Sequence, residues 1–95
     1  AALRQCLSEI DQTNFSPDLV IYDAAVDVHG QDKLGLLEMT SEGIEQRDQD
    51  ILSHFKERQV PITTTIGGGY GASHEEVAKR HSIVFAAVKS IFCNW

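Results

Sequence analysis

Positive charge is scarce in this chain: eight Lys and Arg stand against fourteen Asp and Glu, for a net charge of −6. The basic residues are scattered, with only Lys79 and Arg80 adjacent. A nucleic-acid surface needs a clustered basic stripe, so a nucleic-acid partner is not expected. Long hydrophobic runs are also missing. None approaches the roughly 20 residues needed to span a bilayer, and the N-terminus lacks the charged-then-apolar pattern of a secretion signal. These absences point away from a membrane and towards the cytoplasm. Cysteine is limited to Cys6 and Cys93, almost a full chain length apart and without Cys or His neighbours at zinc-finger spacing. Free, buried thiols are therefore expected rather than a disulfide. At 95 residues there is room for one domain with a thin core. The opening Ala1-Ala2-Leu3, in mid-pattern and without Met, suits a piece of a longer chain.

The residues present divide into five elements. Leu3, Cys6, Leu7 and Ile10 follow the i, i+3, i+4, i+7 spacing of an amphipathic helix over 1–11. Asn14, Ser16 and Pro17 break it. Asp18 to Asp23 carries a continuous apolar run bounded by turn residues, the pattern of a strand buried on both faces of a parallel sheet. Met39-Thr40-Ser41 offers an N-cap and Glu42 an acidic first turn. A helix follows to about Arg58, with Ile44, Ile51, Leu52 and Phe55 facing in. Glu45, Arg47, Asp48 and Lys56 face out, and His54 reads as surface. Ile62-Thr63-Thr64-Thr65-Ile66 is β-branched throughout and predicts a strand. Ser73 with Glu76 forms a capping box opening a last helix. Its apolar stripe is Val77, His81, Val84, Val88, Ile91 and Trp95, with His81 expected as a hydrogen-bonded core histidine.

The order α-β-α-β-α contains no hairpin signal. It predicts an α/β chain with two parallel strands joined by a crossover, which sets the loops 24–40 and 67–73 at one carboxyl edge. In α/β proteins that edge is where ligands bind. Two strands do not make a self-sufficient parallel sheet, so a larger sheet is implied. An exposed strand edge of this kind favours a homo-oligomer.

Chemistry-bearing residues concentrate in these two loops. Asp23, Asp27, His29 and Asp32 fall within ten residues. Residues two apart at a strand end share a side, so Asp27 and His29 could present an oxygen and a nitrogen to Zn²⁺. Alternatively, Asp27 and Asp32 cap turns through Asx hydrogen bonds. Gly67-Gly68-Gly69 could cradle phosphate at a helix start, but it lacks P-loop spacing, and no Lys or Arg is near it in sequence. Tyr70 is either an oxyanion donor or a packed surface tyrosine. His74-Glu75-Glu76-Val77-Ala78 has Ala78 where a zincin motif needs its second histidine.

The segments 15–23, Asp27 to Gly35, Thr40 to Asp48 and Gly67-Gly68-Gly69-Tyr70 are colinear over almost the whole chain. Together they resemble the C-terminal third of the histone deacetylase superfamily, with closest likeness to bacterial and class IV members. The resemblance implies a three-layer arginase/deacetylase-like parallel sheet with zinc at its carboxyl edge, held by two aspartates and one histidine. It implies that Asp27 is the last of those metal ligands. It also implies that the Tyr70 hydroxyl polarises the substrate carbonyl, and that Leu34, Gly68 and Gly69 line the acyl-lysine channel. Asp32 matches a structural acid of the family motif. Ala25 stands where the family usually has Gly. Asp27-Val28-His29 imitates the family's upstream Asp-x-His pair, but it lacks that motif's second histidine and continues as Gln31-Asp32-Lys33-Leu34-Gly35. The resemblance therefore implies Asp27 as the ligand and His29 as a neighbour.

The remaining zinc ligands and the paired acid-base histidines belong to family segments absent from these 95 residues. The expectation is one incomplete unit over 1–95, the C-terminal part of a zinc-dependent deacetylase acting on acylated lysine or acylated polyamine. By itself it should be inactive and should not bind zinc tightly. The alternative is a non-catalytic α/β module that self-associates.

Overall fold

The computed structural model describes residues 2–32, 34–35 and 37–93. Ala1, and Trp95 of the last helical stripe, lie outside the described residues. The element order is α1 (Ala2–Asp11), β1 (Val20–Asp23), α2 (Ser41–Glu57), β2 (Ile62–Thr65) and α3 (His74–Phe92). β1 and β2 pair in parallel, with Val20 opposite Ile62 and Asp23 opposite Thr65. The α/β reading and the parallel pair expected from the sequence are thus present.

α2 is the hub. It packs most extensively on α3, touches the underside of the sheet, and carries α1 along one edge. Ile44, Leu52 and Phe55 supply its buried stripe, Val84 and Ala87 face it from α3, and Leu7 is the one buried residue of α1. The caps follow the sequence. Thr40 accepts the Gly43 N–H at 3.0 Å, and Ser73 accepts the Glu76 N–H at 3.1 Å, each satisfying an otherwise orphan amide. α2 ends through Gln59, whose φ of 58° is the left-handed conformation that stops a helix.

Several expectations need correction. β1 is not buried on both faces. Val20 and Tyr22 face α2, whereas Ile21 is 70% exposed, because no described residue packs on that side. Asp48 does not face solvent: it is 1% exposed, and its carboxylate accepts the Tyr22 hydroxyl and, at 3.0 Å, the Arg47 Nε. Arg47 is largely buried with it, donating from Nη1 to the Ala25 carbonyl at 2.8 Å. Cys6 is exposed and Cys93 half-buried, both as free thiols, since the face of α1 that carries Cys6 finds no second layer. His54 is not a surface residue; its side chain is 10% exposed and lies 3.1 Å from Asp11. His81 is half-buried, and its Nδ1 lacks a partner among the described residues.

Candidate active site

The ladder does not stop where the strands end. Ala24 N–H donates to the Thr65 carbonyl at 2.9 Å, and Val26 N–H to the Gly67 carbonyl at 3.2 Å. These bonds join the start of loop 24–40 to the start of the glycine loop, so both leave the sheet at the same edge. Loop 24–40 then closes on itself. Met39 N–H donates to the Val28 carbonyl at 2.9 Å and Gly30 N–H to the Met39 carbonyl at 3.0 Å.

Asp27 follows directly on this join and is exposed. Its side chain lies against Gly68, where an added Cβ would stand 3.1 Å from the Asp27 Cβ and Cγ. Gly35 approaches it from the other side. A Cβ there would sit 1.9 Å from the Asp27 carbonyl oxygen, so only glycine fits. Gly68 and Gly69 have φ of 60° and 104°, and a Cβ on Gly69 would strike Val26 at 2.9 Å and Val77 at 3.0 Å. The glycines thus let the loop lie flat on Val26 and α3 in a conformation other residues rarely adopt. Tyr70 emerges from them 55% exposed, and Leu34 is 68% exposed.

Asp32 is the join between the two loops. It is 7% exposed; one carboxylate oxygen accepts the Leu34 N–H at 3.0 Å and the Gly35 N–H at 2.7 Å, and the other accepts the Tyr70 N–H. The turn-capping alternative raised for Asp32 is therefore real, but the cap also reaches across to the second loop. The Tyr70 bond foremost, opposed by burial and aided by the Leu34 and Gly35 amides, holds this carboxyl below the usual carboxylate range.

His29 is committed elsewhere. Its Nδ1 accepts the Gln31 N–H at 3.0 Å, so the ring proton of the neutral form is on Nε2, which lies 3.0 Å from the Ser41 hydroxyl. Neither nitrogen is left for an ion. Asp23 sits beside Gly67 at the end of β1, where an added Cβ would come within 2.7 Å of its carboxylate.

Sequence reasoning missed one residue here. Arg80, 4% exposed, donates from Nη1 to the Tyr70 carbonyl at 3.3 Å and from Nη2 to Glu76 at 2.7 Å. It is ten residues beyond Tyr70, so no local window links them. Its place three residues after Val77 and four before Val84, on the inward stripe of α3, was the available signal.

A catalytic zinc normally has three protein ligands. Among the described residues no group of three His, Cys, Asp or Glu could hold a metal ion. The described residues therefore hold no complete zinc site, and the exposed Asp27 carboxylate stands alone at the joined edge. No helix among the described residues is long and apolar enough to cross a membrane.

The histone deacetylase domain family matches residues 1–88. Over 76 residues, 80% of this chain, the sequence is 40% identical to an uncharacterized protein of Picosynechococcus sp., of which the match covers 25%. Over 69 residues, 73% of this chain, it is 38% identical to histone deacetylase 2 of Arabidopsis thaliana, of which the match covers 18%. The chain thus spans about a quarter or less of the curated relatives it matches. With its two loops joined at one sheet edge and the family match running through both, the chain belongs to the histone deacetylase domain family.

Proposed function

We propose that these residues form one side of the active site of a zinc-dependent deacetylase acting on acylated lysine or an acylated polyamine. Asp27 is the contribution to the zinc site; the other ligands and the general base come from outside these 95 residues. Tyr70 donates its hydroxyl proton in a hydrogen bond to the substrate carbonyl oxygen as that oxygen gains negative charge. Leu34, Gly68 and Gly69 wall the channel for the acyl chain. The observation that carries this reading is the joined pair of loops, with the Asp27 side chain resting on Gly68 two residues before Tyr70. One loop offers an exposed carboxylate, the other an exposed phenol whose hydroxyl makes no hydrogen bond to the described residues.

The test uses the complete protein that carries this sequence. Asp27→Ala should abolish zinc retention and deacetylation together. Tyr70→Phe should retain zinc and lower kcat about 10²–10³-fold, the usual cost of removing one oxyanion donor. A Tyr70→Phe enzyme with normal kcat overturns the assignment. The 95 residues alone should show no tight 1:1 zinc binding in a calorimetric titration, and measurable deacetylation by them would overturn the claim that they are incomplete.

A second reading is favoured by Ile21, 70% exposed on a parallel strand whose sheet face is uncovered. Such faces are normally buried, so the chain by itself acts as a module that self-associates through this face. Sedimentation equilibrium separates the cases, and a monomer at all concentrations rejects self-association.

A further inference from the structure

Tyr70 is held through its backbone on both sides. Its N–H donates to the buried Asp32 carboxylate on loop 24–40, and its carbonyl accepts from the buried Arg80 guanidinium on α3. The two charged side chains reach the same residue from different elements, and each is itself fixed. Asp32 is tied by the Leu34 and Gly35 amides, seven and eight residues beyond Asp27. Arg80 is tied by Glu76 one helical turn away. A glycine run would otherwise leave the tyrosine free to wander, because consecutive glycines lose the most conformational freedom on ordering.

We propose that Asp32 and Arg80 are positioning residues for Tyr70, clamping its two peptide groups so that its hydroxyl stays registered with the loop that carries Asp27. The clamp deepens the active-site reading and rests on it. It makes the register of the oxyanion donor depend on a charged residue from each side of the glycine loop. Asp32 needs both oxygens as acceptors. An amide in its place presents an N–H₂ group to one set of N–H donors and breaks one side of the clamp. Arg80 needs two donors, one for Tyr70 and one for Glu76, which a lysine ammonium on a single stem does not reproduce in fixed geometry.

A double-mutant cycle on kcat for an acetyl-lysine peptide, in the complete zinc-loaded enzyme, tests this. Arg80→Met should lower kcat about 10–100-fold, the range expected when a reacting group is displaced by about 1 Å. KM should remain within about twofold, as for an interaction made only in the transition state. Arg80→Lys should recover part of the loss. In a Tyr70→Phe background Arg80→Met should have no further effect, since the residue acts through the hydroxyl. An equal loss in both backgrounds, or a raised KM with kcat intact, overturns the proposal. If Arg80→Met does not fold, the Arg80→Lys arm of the same cycle decides by the same criterion.

Failure of the active-site reading would show separately, as a Tyr70→Phe enzyme with unchanged kcat. The clamp itself is then read from hydrogen exchange at the Tyr70 amide in the same protein. Asp32→Ala, which removes both acceptor oxygens, should accelerate it at least about tenfold relative to amides of α2, as loss of a protecting hydrogen bond requires. Unchanged exchange overturns the clamp.

Discussion

The phenol of Tyr22 on β1 donates to the carboxylate of Asp48 on α2, 26 residues later in the chain, and this bond ties the underside of the sheet to its central helix. Burial first, and then the Asp48 bond, push the Tyr22 hydroxyl well above its ordinary pKa, so it remains a donor throughout the accessible pH range. The same carboxylate oxygen receives Arg47, whose guanidinium also lies 5.7 Å from the Tyr22 ring centre and holds the Ala25 carbonyl. Sheet, helix and the first residues of the Asp27 loop thus share one buried polar network.

Removing one member of such a network leaves its partners uncompensated. Asp48→Ala strands the largely buried Arg47 and the Tyr22 hydroxyl, and should cost about 3–5 kcal/mol, as breaking a buried ion pair does. Tyr22→Phe removes only one donor and should cost about 1–3 kcal/mol. Urea unfolding monitored by circular dichroism measures both. An Asp48→Ala loss no larger than that of Tyr22→Phe would contradict the network.

Asp32 sets an acid limit. Its folded pKa is depressed, so its contribution to stability is fully present above the unfolded-state carboxylate value. That contribution is lost as pH falls through the lower folded value. Stability should therefore decline below about pH 4. Asp32→Asn should be less stable at neutral pH, with a shallower acid decline. Midpoints of urea unfolding across the acid range test the sign, and an unaltered slope in the variant contradicts it.

Gly35 is a steric requirement. A Cβ placed there meets a backbone carbonyl, that of Asp27, at 1.9 Å. No rotamer change relieves this, unlike a clash with a side-chain end. Gly35→Ala should cost about 3 kcal/mol, the upper end of overpacking, and displace the Asp27 peptide. Thermal unfolding together with the Asp27 amide shift in NMR checks both effects.

The open sheet face predicts the reverse. Ile21 is mostly exposed, so Ile21→Lys should alter stability of the monomeric chain by no more than about 0.5 kcal/mol while weakening any self-association. A large loss of stability for the monomer would mean that the face is covered from within the chain.

The five elements were legible because each rests on local chemistry. Thr40 and Ser73 cap the helices they precede, the β-branched run 62–66 contains β2, and consecutive glycines open the second loop. The shared edge was legible too, since strand, helix, strand constrains topology. The pattern of charged residues was not. Asp48 and Arg80 read as solvent-facing or went unnoticed because a single charged residue on an amphipathic helix carries no mark of its partner. The partners, Tyr22 and Tyr70, lie 26 and ten residues away on other elements. By itself the sequence determined the order of elements, the caps, the loops that bear chemistry and the family pattern. Tertiary structure alone decided which charges are buried and which backbone they hold. Burial of a charge is settled by long-range neighbours, and only packing brings those neighbours within hydrogen-bonding reach.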